Sequence, residues 1–442
     1  LELKSLKIAE VGERLTGTGA AEAIAALTAL LRRDGHTVRL FGADSKNVPV
    51  DTEYEIFGEW SSQYEMVNAI NSGRLPLSDR DHQVALYHEE RRQIHTRLIR
   101  ELEAFDPDVV HFHNVSAVLS HVSAIAISSR WPLVWTAHAR FPFHMFHNEW
   151  VVGSETIRSW EKTIAGTTAY LARDLLAASP VPIDFVSPSA WLEGIGMSSP
   201  LGPNHRFHMI RNVIWDVQPD GALSGTELRN AMGVDRLLLA VVPRTEYTLK
   251  GFDLTLEAFL RARAVLTFEE STRDQRLGLI VTTVKDLEMA QWGVFTLFDL
   301  HRLGMIDQNR YLSHSTMRDI YSAVDALVIA SRAENFPNVA VEAIRDRCPV
   351  IATDVGGLSE IFTAGDVGRL VPAESVVDLA EAMVEVAVRR ARESFEPDLQ
   401  RLWEASFAPE IVLRQMEELF AEAIAGHPSA EARRQSNGSK ES

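Results

Sequence analysis

The chain has 442 residues, more than one ordinary hydrophobic core accommodates, so two or more domains are expected. Asp and Glu outnumber Lys and Arg by 61 to 44, a net charge of −17. That balance argues against nucleic acid as the main partner, because phosphate backbones are bound by clustered positive charge. The single cysteine, Cys348, excludes an intramolecular disulfide and a cysteine-based zinc site, and it fits a reducing cytoplasm. No apolar run approaches the roughly 18 residues of a membrane span. The opening LELKSLKIAEVG is too short in its apolar part for a signal peptide. A soluble protein is expected, attached at most to a membrane surface.

Residues 6–11 (LKIAEV) read as a short buried strand, and a glycine-containing turn, TGTGAAE, follows at 16–22. An apolar-periodic helix runs from there to Gly35, and HTVRLFG (36–42) is a second strand. This is a βαβ opening with a glycine loop between strand and helix. A helix with charged faces is predicted at about 82–104. Strands follow in DPDVVHFHN (106–114) and PLVWTAHA (132–139), then an aromatic, His-rich loop at 140–150. IDFVSPSAWLEG (183–194) reads as a strand entering a helix, and HMIRNVIWD (208–216) as the last strand of this half.

The stretch 216–236 is polar and weakly patterned, a linker with one short helix. A second series opens at LLLAVVP (237–243), with further strands in LGLIVTT (277–283), DALVIAS (325–331), PVIATD (349–354) and GRLVP (368–372). Strands alternating with helices twice over predict two doubly wound parallel sheets with a cleft between them. EIVLRQMEELFAEAI (410–424) is a final amphipathic helix. The polar end beyond it is predicted to be disordered.

Four segments carry candidate chemistry. SRAENFPNVAVEA (331–343) follows a strand and opens a helix near Pro337, a residue suited to a first turn. The amides of Asn338 and Val339 at that helix start would form an anion site. Glu334 could accept from sugar hydroxyls and Glu342 from a ribose. The same spacing also fits a helix-capping Glu334 and a solvated Glu342. In VVPRTEYTLKGFD (241–253), Arg244 and Lys250 could neutralise a diphosphate, or could be solvated loop cations. Gly17 and Gly19 permit close backbone approach to a ligand; a tight turn is the alternative, since the third glycine of a dinucleotide fingerprint is missing. His138, at a strand end, could contact a transferred sugar or be a satisfied core histidine. His144, His147 and Glu149 suggest a metal, but the loop offers no carboxylate pair suited to magnesium, and no metal site is expected. Asp106 and Asp108 read as a turn before a strand.

With these segments in hand, the chain resembles the family 4 glycosyltransferases from about residue 7 to about 425. The most specific pieces are ENFPNVAVEA (334–343), PVIATDVGGLSEIF (349–362) and GRLVP (368–372). GHTVRLF (35–41), PDVVHFHN (107–114), VSPSAWLE (186–193) and the Arg244/Lys250 pair support them. The set is most similar to the bacterial exopolysaccharide branch. The resemblance implies the GT-B fold: an acceptor-side Rossmann-like domain over 1–215, a donor-side one over 216–409, and a helix at 410–425 crossing back to the first domain, with 426–442 as a tail.

The resemblance further implies retention at the anomeric carbon. Glu334 would contact the donor sugar and Glu342 the ribose. Arg244 and Lys250 would neutralise the diphosphate. Phe336, Asn338 and Val339 would present amides to sugar and phosphate, Gly17 and Gly19 would approach the diphosphate, and His138 would meet the donor sugar. The implied partners are a nucleotide-sugar donor and a glycan, lipid-linked or small-molecule acceptor, with no cofactor. Pro337 stands where the family often has Gly, Ala139 where relatives often have Asp after the histidine, and Arg345-Asp346-Arg347-Cys348 where a small-residue turn is usual. These departures bear on the acceptor. An epimerase or a phosphorylase of the same fold, or a carbohydrate-binding relative without catalysis, is the alternative. Arg91, Arg92, Arg97 and Arg100 could draw the helix at 82–104 to an anionic membrane, although Glu89, Glu90 and Glu101 lie alongside.

Overall fold

A computed structural model describes residues 5–12, 19–42, 54–56, 92–113, 115, 119–143, 164–221, 223–242, 247–271, 274–282, 289–306, 312–390 and 392–428. The chain divides into two compact units. One comprises residues 1–213 and 409–442, the other 214–408.

The first unit holds a seven-stranded sheet. Its strands are β1 (Lys7–Gly12), β2 (Thr37–Gly42), β3 (Tyr54–Ile56), β4 (Val109–Phe112), β5 (Leu133–Thr136), β6 (Asp184–Ser187) and β7 (Arg206–Met209), in the order 3-2-1-4-5-6-7. The pairings are parallel. β4, β5 and β6 are buried at every position, as strands covered on both faces must be. Helix Gly19–Arg33 buries Ile24, Leu27, Leu30 and Leu31, an i, i+3, i+7 pattern with Leu30 beside it. Helix Pro409–Gly426 belongs to this unit and buries Val412, Leu413, Met416, Leu419, Phe420 and Ala423. His36 Nε2 lies 2.9 Å from Glu417 on that helix, and His427 Nε2 2.7 Å from the Ser128 carbonyl.

The second unit holds a six-stranded parallel sheet: β8 (Arg236–Ala240), β9 (Leu277–Val281), β10 (Val294–Thr296), β11 (Ala326–Ile329), β12 (Val350–Thr353) and β13 (Gly368–Val371), in the order 10-9-8-11-12-13. Helix Phe252–Phe268 buries Leu254, Ala258, Ala262 and Leu266, a four-residue stripe facing the core. The strand order of each sheet reverses once, between β1 and β4 and between β8 and β11. Ligands of such sheets bind beyond the carboxyl ends of the strands at that reversal.

The structure moves several sequence-based boundaries. The strand predicted at 208–216 is β7, which starts at Arg206 and ends at Met209. Its last ladder bond runs from the Ile210 amide to the Ser187 carbonyl, and the unit boundary falls just beyond, at Val213 and Ile214. The strand in PLVWTAHA stops at Thr136, so His138 stands two residues past its end. β3 and β10 have three residues each, too short for a periodic signal. The helix placed at 82–104 is described from 92 to 105, and its first ten predicted residues lie outside the described residues. Of the predicted tail at 426–442, Gly426 ends the helix Pro409–Gly426 and His427 is buried, so these are not tail, and the residues from 429 onward lie outside the described residues. Among the described residues, no helix is long and apolar enough to cross a membrane.

Candidate functional site

In the second unit, the loops after β8 and β11 meet. Lys250 Nζ lies 2.5 Å from Glu334 Oε2, with the two side chains 22% and 12% exposed. Two glycines make this approach possible. Gly251 has φ +63°, and a Cβ there would lie 1.8 Å from the Ala330 carbonyl oxygen. Gly356 has φ +57°, and a Cβ there would lie 1.6 Å from the Glu334 carbonyl oxygen. Both positions need the left-handed region and tolerate no side chain. Arg332 fastens the same loop. Its guanidinium binds Asp253 through two bonds of 2.7 Å and Glu374 at 2.7 Å, and its amide donates to the Leu249 carbonyl at 2.8 Å. The Asp253 hydrogen bond raises the guanidinium's pKa, so this charge is fixed.

The chain then enters helix Asn338–Arg345. Pro337 occupies the N-cap with φ −77° and ψ 128°, one residue before the helix, where its missing N–H is of no consequence to the helical ladder. The amides of Asn338 and Val339 lie in the first turn of this helix, at its positive end. Phe336 is buried against Phe407, ring centroids 5.7 Å apart, which anchors the segment carrying those amides. Glu342 lies one turn further in and accepts a 2.9 Å bond from the Tyr321 hydroxyl. Burial raises the Glu342 carboxyl above its ordinary range, against the Tyr321 bond. Burial also lifts the Tyr321 phenol well above its own, so Tyr321 is a committed donor. Glu342 is thus held in place and is not a solvated surface carboxylate.

In the first unit, the carboxyl ends of β1 and β4 carry a buried polar cluster. Glu10 pairs in register with His111, and the two-residue period of a strand sets His113 on the same side as His111. Glu10 Oε2 lies 2.6 Å from His113 Nε2 and 3.0 Å from His111 Nδ1. His113 Nδ1 lies 3.1 Å from His138 Nε2, and His111 Nε2 lies 2.7 Å from the Thr136 hydroxyl. Burial works to raise the Glu10 pKa, but the charges and N–H groups of His111 and His113 outweigh it and hold Glu10 at about 2. Burial, then His111, pushes His113 down to about 4 against the pull of Glu10. Burial, then His113 and His111, push His138 well below the ordinary histidine value. A small pocket is lined by His113, Thr136, His138, Arg211, Asn212 and Met416, all of the first unit.

Glu10, His111 and His113 place ligand atoms within 4.8 Å of one another, as do Asp34, His36 and Glu417. The 2.6 Å and 2.9 Å separations within these groups are those of direct hydrogen bonds. Asp106 and Asp108 form the expected turn: Asp106 has φ 49°, and Asp108 accepts from the Lys7 amide at 2.8 Å. Cys348 is buried, its thiol pushed up by burial to about 12, and it is inert.

Of the sequence-derived candidates, Lys250, Glu334, Phe336, Asn338, Val339 and Glu342 come together in the second unit. Gly19 opens the helix Gly19–Arg33, and His138 lies in the first-unit cluster. Gly17, Arg244, His144, His147, Glu149 and Arg91 lie outside the described residues. Sequence reasoning missed Tyr321, Arg332, Glu10, His111 and His113. A signal existed for the last three: one acid inside the apolar strand KIAEVG, and two histidines two apart in VVHFH, are charges where a buried strand has no use for them.

A family model described as Glycosyl transferases group 1 matches residues 236–388, and one described as Glycosyltransferase Family 4 matches residues 17–180. A D-inositol 3-phosphate glycosyltransferase of Kribbella flavida is 32% identical over 164 residues, 36% of this chain and 38% of that protein. The match thus spans well under two-thirds of the relative's length. Sucrose-phosphate synthase from Thermosynechococcus elongatus aligns with a TM-score of 0.62 at 15% identity, over 95% of this chain and 99% of that one. An Anabaena protein in complex with UDP-glucose aligns with a TM-score of 0.56 at 15% identity, over 94% of this chain and all of that one.

Proposed function

We propose that this chain, which belongs to the family 4 glycosyltransferases and has the GT-B fold, transfers a sugar from a nucleotide-diphosphate donor to an acceptor with retention at the anomeric carbon. The observation that carries the reading is the Lys250–Glu334 pair at the carboxyl ends of β8 and β11, followed at once by the helix start at Asn338 and by Glu342. A leaving diphosphate gains negative charge as the glycosidic bond breaks, and this segment concentrates fixed positive charge. Lys250, Arg244 and the amides of Asn338 and Val339 stabilise that charge. Donor binding exchanges the ion pair for two contacts, Lys250 to phosphate and Glu334 to sugar hydroxyls. Glu342, held by Tyr321, accepts from the ribose. Phe336 presents its amide, Gly17 and Gly19 approach the diphosphate, and His138 meets the transferred sugar.

This charge supply makes a metal and a cofactor unnecessary for departure of the leaving group. The acceptor is a glycan, a lipid-linked sugar or a small polar molecule, and the phosphorylated inositol in the Kribbella relative's name is in keeping with the last. The UDP-glucose of the Anabaena complex is in keeping with a nucleotide-sugar donor. The domain assignment follows the two units: acceptor side first, donor side second. Polysaccharide or glycoconjugate synthesis in the cytoplasm is the setting we propose. The exposed Arg92, Arg97 and Arg100 support a peripheral membrane contact, which co-sedimentation with anionic vesicles at low salt tests.

The reaction itself is tested with a panel of nucleotide sugars and candidate acceptors in excess chelator, scored for nucleoside diphosphate release and for the product anomer by proton NMR. Turnover with a retained anomer is expected. Activity that chelator abolishes and magnesium restores refutes the metal-free leaving-group site. An inverted product refutes retention.

A further inference from the structure

The first-unit cluster has a direction. An ionised Glu10 only accepts hydrogen bonds, so His113 must present Nε2–H to it across 2.6 Å. In a neutral imidazole the other nitrogen then carries a lone pair, so His113 Nδ1 can only accept. Its partner across 3.1 Å is His138 Nε2, which must therefore be the donor. His138 is left with Nδ1 as its lone-pair nitrogen. The side branch agrees: His111 donates Nδ1–H to Glu10, and its Nε2 accepts the Thr136 hydroxyl at 2.7 Å.

We propose that Glu10 and His113 are positioning residues that fix His138 in its Nε2–H tautomer, so that Nδ1 meets the transferred sugar as a hydrogen-bond acceptor. The proposal rests on the reading of His138 given above. It excludes a His138 that donates to the sugar.

The geometry is built for constancy. The Trp135 indole donates to the His113 carbonyl at 3.1 Å, and the His113 amide donates to the Val11 carbonyl at 2.9 Å, so the backbone cannot swing. The His113 and His138 rings lie nearly parallel, 21° apart. Phe420, from the helix Pro409–Gly426, closes the far side against His111 at 5.4 Å. Glu10, His111 and His113 are essentially without solvent exposure. Among the described residues, His113 and His111 are the titratable groups that act on His138, and Arg211 lines the same pocket. The depressed pKa of His113 keeps it neutral at pH 7, as the argument requires.

The test is the imidazole nitrogen spectrum of the full chain labelled with ¹⁵N-histidine at pH 7.5, with His138 assigned by comparison with His138→Gln. The wild-type protein should show Nε2 of His138 as the N–H nitrogen and Nδ1 as the lone-pair nitrogen. A His138 that is mainly Nδ1–H overturns the proposal with no variant needed. Glu10→Gln offers one oxygen to two imidazoles, and His113→Phe removes the acceptor. Each should leave His138 a mixture of tautomers and lower kcat about 10- to 100-fold, the size of loss known for the outer hydrogen-bond partners of metal-bound histidines. Affinity for the nucleoside diphosphate should not change. If the tautomer mixes while kcat stays at the wild-type level, the positioning role is refuted. If His138→Gln itself retains full turnover, the reading of His138 fails, a result distinct from failure of the chain beneath it.

Discussion

Replacing Lys250 by alanine separates two roles that one ion pair could play. If the ammonium acts on the leaving group, its effect appears as charge develops there. Two unit charges about 4 Å apart at an effective dielectric near 20 interact by ~4 kcal/mol. With about half a unit of charge arising on the leaving oxygen, ~2 kcal/mol is gained only in the transition state, roughly 30-fold in kcat. The low exposure of Lys250 and Glu334 supports a dielectric below that of bulk water. If instead Lys250 serves only to orient Glu334, removing either partner should do the same damage. Lys250→Ala, Glu334→Gln and the double variant therefore form a cycle, read as kcat and as KM for the donor. Independent losses in kcat are expected, with a smaller effect on KM. A double variant no worse than either single one refutes the leaving-group role, and so does a folded Lys250→Ala protein with unchanged kcat.

Other perturbations probe the supports of the site. Tyr321→Phe leaves the largely buried Glu342 without its 2.9 Å donor. It should cost about 1–3 kcal/mol, measured by denaturant unfolding, and weaken donor binding measured by calorimetry. Gly251→Ala forces a Cβ to within 1.8 Å of the Ala330 carbonyl at φ +63°. The shift it demands should destabilise the second unit by at least ~1 kcal/mol, visible as a lowered melting transition, and displace Lys250. His138→Ala should lower transfer and leave nucleoside diphosphate affinity intact in calorimetry. The first unit should be acid-sensitive. His113, at about 4 when folded and 6.5 when unfolded, stabilises fully above 6.5 and loses that contribution as pH falls to 4. Glu10, at about 2 against 4.5, loses its contribution between 4.5 and 2. Melting temperature against pH should therefore fall from near 6.5 downward, and His113→Phe should flatten the upper part of that slope.

Much of the fold was legible because parallel strands covered on both faces are written as unbroken apolar runs. LKIAEV (6–11) became a strand within one residue of its predicted bounds, whereas PLVWTAHA (132–139) and LLLAVVP (237–243) start within one residue of the strands they predict and overrun their ends by three. Tyr54–Ile56 and Val294–Thr296 escaped because three residues carry no period. HMIRNVIWD misled because Ile210, Val213 and Ile214 are buried beyond the end of β7: their burial mimics a strand where the chain has left the sheet. In the candidate site, the residues close in sequence were legible. Glu334, Phe336, Asn338, Val339 and Glu342 fall within nine positions, and a single helix start arranges them. Tyr321 was not, since it reaches Glu342 across 21 positions and its sequence context is that of any amphipathic helix.

The first-unit cluster shows why such partners escape a local reading yet leave a trace. Glu10 and His113 are 103 positions apart, and no window joins them. Their adjacency comes from the strand order 2-1-4, which the βαβ handedness and the sheet reversal impose after the local elements have formed. What a sequence does reveal is a mismatch. A carboxylate in the middle of KIAEVG cannot be buried alone, because an unpaired charge in an apolar strand costs several kcal/mol. It therefore demands a partner from a neighbouring strand, and only a residue that folding brings opposite can supply one. Two histidines at 111 and 113, set on one side of β4 by its period of two, meet that demand, and the second carries the contact on to His138. Hydrophobic residues of the same volume would fill this space with less desolvation, so packing alone does not account for three polar side chains at the reversal point of the sheet. What accounts for them is the orientation they give to His138 beyond the strand ends.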